Sequence, residues 1–292
     1  MRKKLLITGG TGLIGSHLIE SLSEEKEYDI IVIGRSVNSK WNNKRISAFK
    51  LDFTKEWDEN CLPKDLFAII HLSQSENFRH FPEKAKDVFY TNTLSTLKLI
   101  NHAVKTKVSH FIFASSGGIY GNSDEGFKEE KEIVYDKDMG FYLATKHCSE
   151  VILENYMSLL NVILLRFFFV YGKGQRKDML IPRLLNFVQN EQSIALQGSN
   201  GIKINPIHAS DAAEAIKAAL FLNESNKINV GGSEILTMRQ IGEIIGEITG
   251  GIPHFIIDEE KKPKHLIGDI TKMSRLLLSP KIVFKEGIKT LL

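Results

Sequence analysis

Cysteine is scarce in this chain, with Cys61 and Cys148 the only two among 292 residues. They stand apart without metal-ligand spacing, so reduced thiols are expected and no structural metal is indicated. Long apolar runs are missing too: no stretch approaches the ~20 residues that span a bilayer. The basic, apolar start passes directly into a glycine-rich segment instead of a cleavage site, so a cytoplasmic protein with no membrane partner is expected. An excess of one charge is also lacking. Lysine and arginine number 38 against 35 aspartates and glutamates, with the signs interspersed, which gives no electrostatic footing for nucleic acid as a partner. No internal repeat or low-complexity tract is present.

What remains is a globular composition at a length suited to one large or two small domains. Leu5, Leu6 and Ile7 read as a strand buried on both faces, and residues 8–12 are too rich in glycine to extend it. Apolar residues then recur with helical spacing at Leu13, Ile14, Leu18, Ile19 and Leu22. Gly9, Gly12 and Gly15 therefore fall across a strand-to-helix turn. There the first glycine permits the turn, the second lets backbone approach a pyrophosphate, and the third lets helix and strand pack closely. The bare spacing also suits a flexible turn; the flanking strand and helix favour a dinucleotide cradle that includes Leu13 and Ile14.

A second strand over residues 30–33 ends in Gly34, Arg35 and Ser36. In a dinucleotide fold an acid at this strand end takes the ribose hydroxyls, whereas an arginine accommodates a 2′-phosphate. Arg35 thus leans the cofactor towards NADP, with NAD as the alternative and a solvated arginine as the bland reading. Residues 46–51 and 67–72 give a third and fourth strand, joined by an irregular charged connection. Asp52, followed by Phe53, is placed to face an adenine or simply to cap a turn. Leu72, Ser73 and Gln74 lie at a strand's carboxyl end, where open α/β sheets bind ligands. A long helix over 83–105 and a fifth strand over 110–114 follow. This alternation predicts an α/β fold with a doubly wound parallel sheet. The charged stretch 122–138 reads as a solvated surface excursion beside the site.

The fifth strand delivers Ser115 and Ser116 and then Gly117. Tyr142 and Lys146 stand four apart in a helix expected over 140–156, so they share a face. A tyrosine titrates near ~10, and a neighbouring ammonium favours its phenolate, bringing it towards the range of a general acid/base. By itself the pair also fits a solvated helix face. Its value lies in the order of the glycine turn, the serine-ended strand and then the pair.

That order resembles the extended short-chain dehydrogenase/reductases, the NAD(P)-dependent nucleotide-sugar epimerases, dehydratases and reductases. The matching segments are residues 8–15, Asp52, His71-Leu72, Asn92, residues 114–121, residues 142–146, Leu165-Arg166, residues 170–172, 181–183, 206–211, 229–231 and 269–272. The resemblance implies a Rossmann domain over 1–170, with residues near 200–230 returning to it, and a smaller, discontinuous substrate lobe over 171–292. It implies that Ser116 polarises the reacting oxygen, Tyr142 transfers its proton, and Lys146 lowers the tyrosine pKa and binds the nicotinamide ribose. Asn92 is placed on the cofactor side by the same likeness, and a homodimer through the two long helices is suggested.

Departures from the family pattern narrow the chemistry. Its 4,6-dehydratases carry an Asp-Glu pair where this chain has Gly117 and Gly118, which disfavours dehydration. Phe169 stands where many members place a diphosphate-binding asparagine, and Ile204 where an arginine is usual. Arg176, Arg183 or Lys203 is left to supply charge to the substrate. With Arg35 these features lean towards an NADPH-dependent 4-ketoreductase of a keto-deoxy nucleotide sugar. A 4-epimerase that retains its dinucleotide is the alternative, and a non-catalytic dinucleotide-binding regulator is the reading from another class.

Overall fold

The computed structural model describes residues 2–35, 44–134 and 139–292. Ser36, read above beside Arg35, and positions 135–138 of the charged stretch lie outside the described residues. In chain order the first elements are β1 (Lys3–Thr8), α1 (Leu13–Glu24), β2 (Tyr28–Gly34), β3 (Ile46–Lys50), β4 (Ala68–His71), α2 (Ala85–Phe89), α3 (Ser95–Lys105), β5 (His110–Ser116), α4 (Gly140–Glu154) and β6 (Asn161–Phe167). Then come β7 (Val170–Tyr171), α5 (Leu180–Gln189), β8 (Ser193–Gln197), β9 (Lys203–Ile204), β10 (Ile207–His208) and α6 (Ala209–Ala219). The last are β11 (Asn226–Val230), β12 (Leu236–Thr237), α7 (Met238–Thr249), β13 (His254–Asp258), α8 (Thr271–Leu276) and α9 (Phe284–Lys289).

The apolar strands align in parallel into one seven-stranded sheet, ordered β3-β2-β1-β4-β5-β6-β11. Parallel strands need crossover connections, and these cover both faces with helices. Leu5 and Ile7 of β1 pack with Leu18, Ile19 and Leu22 of α1 and Ile216 of α6. The intervening Leu6 joins Leu99 and Ile100 of α3, Phe111 and Phe113 of β5 and Leu153 of α4 on the other face. The doubly wound α/β architecture is thus the one expected. A third core, separate from these, gathers Tyr171, Leu184 and Val188 of α5, Ile241 and Ile245 of α7, and Phe284 and Ile288 of α9. No helix among the described residues is long and apolar enough to cross a membrane.

Winding reverses between β1 and β4, whose carboxyl ends pair Thr8 with His71. The crevice at such a switch point is where ligands bind. A buried relay stitches it: Thr8 Oγ1 lies 2.7 Å from His71 Nδ1, and His71 Nε2 lies 3.0 Å from Thr96 Oγ1. Burial, helped by the Lys146 charge, pushes His71 down to about 3, so it is a neutral core histidine.

Two expectations are corrected. The helix over 83–105 contains a π-helical turn at Tyr90–Leu94 between α2 and α3. Such widened turns re-aim side chains, and here buried Asn92 accepts from Ser75 N–H at 3.0 Å and donates to Thr145 Oγ1 at 3.0 Å. The charged stretch is not wholly solvated either, because Phe127 and Glu129 are buried. Phe127 N–H donates to the Ile267 carbonyl and Glu129 accepts from Asn229 N–H, each at 2.8 Å, fastening the stretch to the C-terminal part of the chain.

Candidate active site

Gly9 adopts φ +72°, and a Cβ there would lie 2.7 Å from Ser73 N. The turn closes with Gly12 N–H donating to Gly9 O at 2.9 Å. A Cβ on Gly15 would sit 2.3 Å from Gly9 O and 2.7 Å from Gly10 Cα, so helix and strand meet there with no space for a side chain. Gly10 is as tightly held, a Cβ there falling 2.5 Å from Val32, and this close approach was not read from the sequence. Helix α1 starts at Gly12 without a capping side chain. Its leading N–H groups and the positive end of its dipole therefore face the crevice.

The crevice is a cleft of about 580 Å³ whose wall includes Gly9, Gly12, Leu13, Ile14, Gly15, Arg35, Asp52, Phe53, Leu72, Ser73 and Gln74. Ser116, Tyr142, Phe169 and Arg176 line the same cleft. The buried hydroxyls of Thr91 and Ser115 also lie on the wall and find no partner among the described residues. Orphaned hydroxyls, an uncapped helix start and a backbone cradle fit an elongated phosphate-bearing ligand such as a dinucleotide.

Other candidate residues lie off the wall. Asn92 and Lys146 are buried behind it, and Gly117 packs against Phe168, whose ring carbon a Cβ would meet at 2.4 Å. Arg183 is exposed on α5, opposite the face that buries Ile181, Leu184 and Leu185. Lys203 is exposed on β9, where alternation turns Ile204 inward. Neither cation reaches the cleft. Glu76 and Phe78 of the loop after β4, Gln175 and Met179 of the loop before α5, and Leu180 and Ile181 at the start of α5 line it as well.

Tyr142 and Ser116 meet at the foot of the cleft. Tyr142 Oη donates to Gln74 Oε1 at 2.9 Å, and its ring packs against Phe78 with centroids 5.2 Å apart. Desolvation pushes the phenol up to about 12, while the Ser116 hydroxyl pulls the other way. Lys146 does not supply the lowering expected of it. Its Nζ donates to the Ala114 carbonyl at 2.7 Å and lies over the Phe113 ring. Burial pushes this ammonium down to about 7, with the Glu150 carboxylate opposing. The buried Lys146 ammonium is therefore less favoured than in water and is held by the Ala114 carbonyl.

Around Arg35 the wall is charged. Arg35 Nη1 donates to Glu76 Oε1 at 2.9 Å. Asp52 accepts from Thr54 N–H at 3.0 Å and Thr54 Oγ1 at 2.8 Å, so it does cap a turn while still lining the cleft. Beyond this, Arg79 pairs with Asp178 at 3.0 Å, and Arg176 reaches the Glu76 carbonyl at 3.4 Å. These contacts tie the loop after β4 to the loop before α5. Phe169 holds φ +45°, an unusual conformation for an aromatic residue and one often found at binding sites.

A profile of the NAD dependent epimerase/dehydratase family matches residues 5–231. A putative UDP-glucose 4-epimerase of Methanocaldococcus jannaschii is 27% identical over 297 residues, covering 98% of this chain and 96% of that protein. Among solved structures, UDP-glucose 4-epimerase of Thermus thermophilus in complex with NAD matches with TM-score 0.81 at 25% identity, over 98% of this chain and 97% of that one. UDP-glucuronic acid 4-epimerase of Bacillus cereus, solved with UDP-glucuronic acid and NAD, matches with TM-score 0.86 at 24% identity, over 98% and 97%.

Proposed function

This chain belongs to the NAD-dependent epimerase/dehydratase family, and from that premise we propose that it is a nucleotide-sugar 4-epimerase that retains NAD through the reaction. The observation that carries this reading is the chemistry at the foot of the cleft. Ser116 and Tyr142 stand there together, while the carboxylates on the wall, among the described residues, are Asp52 and Glu76 near Arg35. Eliminating water needs an acid and a base beside the reacting carbon, and Gly117 and Gly118 follow Ser116 instead. What is left is proton transfer at a carbinol oxygen coupled to hydride transfer.

In this reading Gly9, Gly12, Leu13, Ile14 and Gly15 cradle the pyrophosphate. Phe53, Leu72, Ser73, the Asp52 carboxylate and the Thr91 and Ser115 hydroxyls flank the remainder of the dinucleotide. NAD held there would supply the hydride acceptor for oxidation of the carbinol carbon and, once reduced, the donor that restores it. Ser116 and Tyr142 hold the sugar oxygen, Tyr142 receiving its proton as the ketone forms and giving it back as the alcohol is restored. Lys146, whose Nζ rests on the Ala114 carbonyl, would reach the nicotinamide ribose by leaving that carbonyl, and Asn92 positions the loop carrying Ser75. Phe169, Val170, Met179, Leu180 and Ile181 give the cleft an apolar wall. Such a wall can hold a keto sugar without fixing one orientation, which inversion of the attacked face requires. Arg176, the cationic candidate that reaches this wall, meets the diphosphate of the sugar nucleotide.

Retention of the cofactor is supported by the ties Arg79–Asp178 and Arg176–Glu76 between the loop after β4 and the loop before α5. A reductase must exchange its cofactor at every turnover, whereas an epimerase regenerates it in place. The similar proteins named as 4-epimerases favour the same choice over the NADPH-dependent reductase that Arg35 suggested, and the Glu76 contact weakens the case for a free 2′-phosphate site. The dinucleotide part is residues 1–170 with the stretch near 200–230, supported by α6 and β11 sharing the sheet's cores; residues 171–292 mainly form the sugar part. Exposed Phe89 on α2 and Val151 on α4 support a homodimer through these helices.

Purified protein incubated with UDP-hexoses, without added cofactor, should interconvert C4 epimers with no net change at the nicotinamide absorbance band. Tyr142→Phe should slow this by about 10²–10⁴-fold. Stoichiometric consumption of added NADPH with a keto sugar would instead establish the reductase.

A further inference from the structure

The end of β2 poses a problem that the rest of the cleft answers. Gly34 occupies the place where a dinucleotide fold presents an acid to the adenosine ribose, and Arg35 follows it. Read locally, this is an invitation to a 2′-phosphate. In the folded chain, β1 has β2 on one side and β4 on the other. The loop leaving β4 therefore passes the carboxyl end of β1 and reaches the end of β2. It delivers Glu76, whose carboxylate meets Arg35 at 2.9 Å.

We infer that Glu76 determines cofactor choice, occupying the Arg35 guanidinium and supplying from the β4 loop the ribose-binding carboxylate that β2 lacks. This rests on the dinucleotide reading of the cleft above. Both side chains line the cleft and are about half exposed, at 52% and 56%, so an incoming adenosine ribose can reach them. Glu76 is held in place from behind: Ser75 N–H donates to Asn92 Oδ1 at 3.0 Å, Asn77 N–H to Ser75 Oγ at 3.1 Å, and Asn77 Nδ2 to Asp87 at 3.2 Å. Its own carbonyl accepts from Arg176 at 3.4 Å.

The charges make the discrimination. Asp52 lies within electrostatic reach of Arg35 and Glu76, so two carboxylates face one guanidinium. A ribose diol can donate hydrogen bonds to a carboxylate without disturbing that arrangement. A 2′-phosphate, with its nearly two negative charges, must displace Glu76 from Arg35 or approach both carboxylates. Among the described residues, Arg176 and Lys55 are the other cations that act on these carboxylates. Arg176 is already engaged by Asp178 at 2.8 Å.

The test equilibrates the purified protein with equal concentrations of NAD and NADP, isolates it, releases the bound nucleotides by denaturation and measures their ratio by chromatography. The parent protein should carry NAD predominantly. Glu76→Gln keeps size and hydrogen-bonding capacity but frees Arg35, and should raise the NADP-to-NAD ratio by about threefold to fivefold, the scale of one charge pair at an exposed site. Adding Arg35→Ala to Glu76→Gln should remove that gain. An unchanged ratio in Glu76→Gln, or a gain that survives Arg35→Ala, overturns the inference while leaving the dinucleotide reading intact. Recovery of neither nucleotide from the parent protein overturns both. Because the readout is bound cofactor, it does not depend on which sugar is turned over.

Discussion

Replacing Glu150 by glutamine should be among the most damaging conservative substitutions in this chain. Glu150 lies on α4, one turn beyond Lys146, and is fully buried with Arg166 of β6, the two side chains being 0% and 2% exposed. Arg166 Nε contacts both carboxylate oxygens at 3.1 Å, and Nη2 reaches Oε2 at 2.6 Å. Two buried cations depend on that carboxylate, since Glu150 also opposes the loss of charge on Lys146. Glutamine preserves shape and one acceptor but removes the charge. Breaking a buried pair by deleting one partner costs about 3–5 kcal/mol, a large share of the ~5–15 kcal/mol that holds an ordinary domain folded. Urea unfolding followed by fluorescence and circular dichroism should therefore show a lowered midpoint with an unchanged slope. Glu150→Gln with Arg166→Met removes both charges and should recover more than half of the loss. A single variant costing less than ~1 kcal/mol, or a double variant worse than either single one, would refute the view that this pair anchors α4, with Tyr142 and Lys146, to the sheet.

Gly15→Ala would force a methyl 2.3 Å from Gly9 O; a loss of about 1–3 kcal/mol and recovery of the protein without bound dinucleotide are expected, and a variant that retains NAD would contradict the cradle. His71 has its folded pKa depressed to about 3, below an unfolded value near ~6.5. The unfolded chain binds the extra proton first, so stability is complete above the unfolded pKa and declines as pH falls through this window. The contribution is about 2 kcal/mol between pH 7 and pH 5, measurable as a difference in denaturation midpoints that should shrink by that amount in His71→Asn, leaving the smaller dependence of His110 and His208, whose pKa values burial also lowers. Val151→Asp should convert a dimer to a monomer in sedimentation velocity; a monomeric parent protein would dismiss the dimer instead.

Much of the fold was legible because it is written in local spacing. Uninterrupted apolar runs marked the buried parallel strands, and the glycines at 9, 12 and 15 marked the turn at the end of β1. The four-residue separation of Tyr142 and Lys146 places both on one side of α4 wherever that helix goes. Ser116 at the end of a central strand was legible for the same reason. Arg183 and Lys203 were misjudged as candidates for the substrate wall because a cation's residue type does not reveal which face of its helix or strand meets the cleft. Burial of Phe127 and Glu129 within a charged run was hidden because their partners, Ile267 and Asn229, lie far along the chain.

The sequence by itself therefore determined the parallel strands of the first half, the doubly wound class, and the presence of a glycine turn, a serine, a tyrosine and a lysine in the order that carries the family resemblance. These follow from backbone preferences and periodicities that act over a few residues. Only the tertiary structure decided that Arg35 faces Glu76, that Lys146 turns to the Ala114 carbonyl, and that Arg79 and Asp178 tie the loop after β4 to the loop before α5. Each of those depends on strand order and loop path, which place charges together from positions far apart in the chain, and it is the neighbouring charge and the loss of water that set what such groups can do.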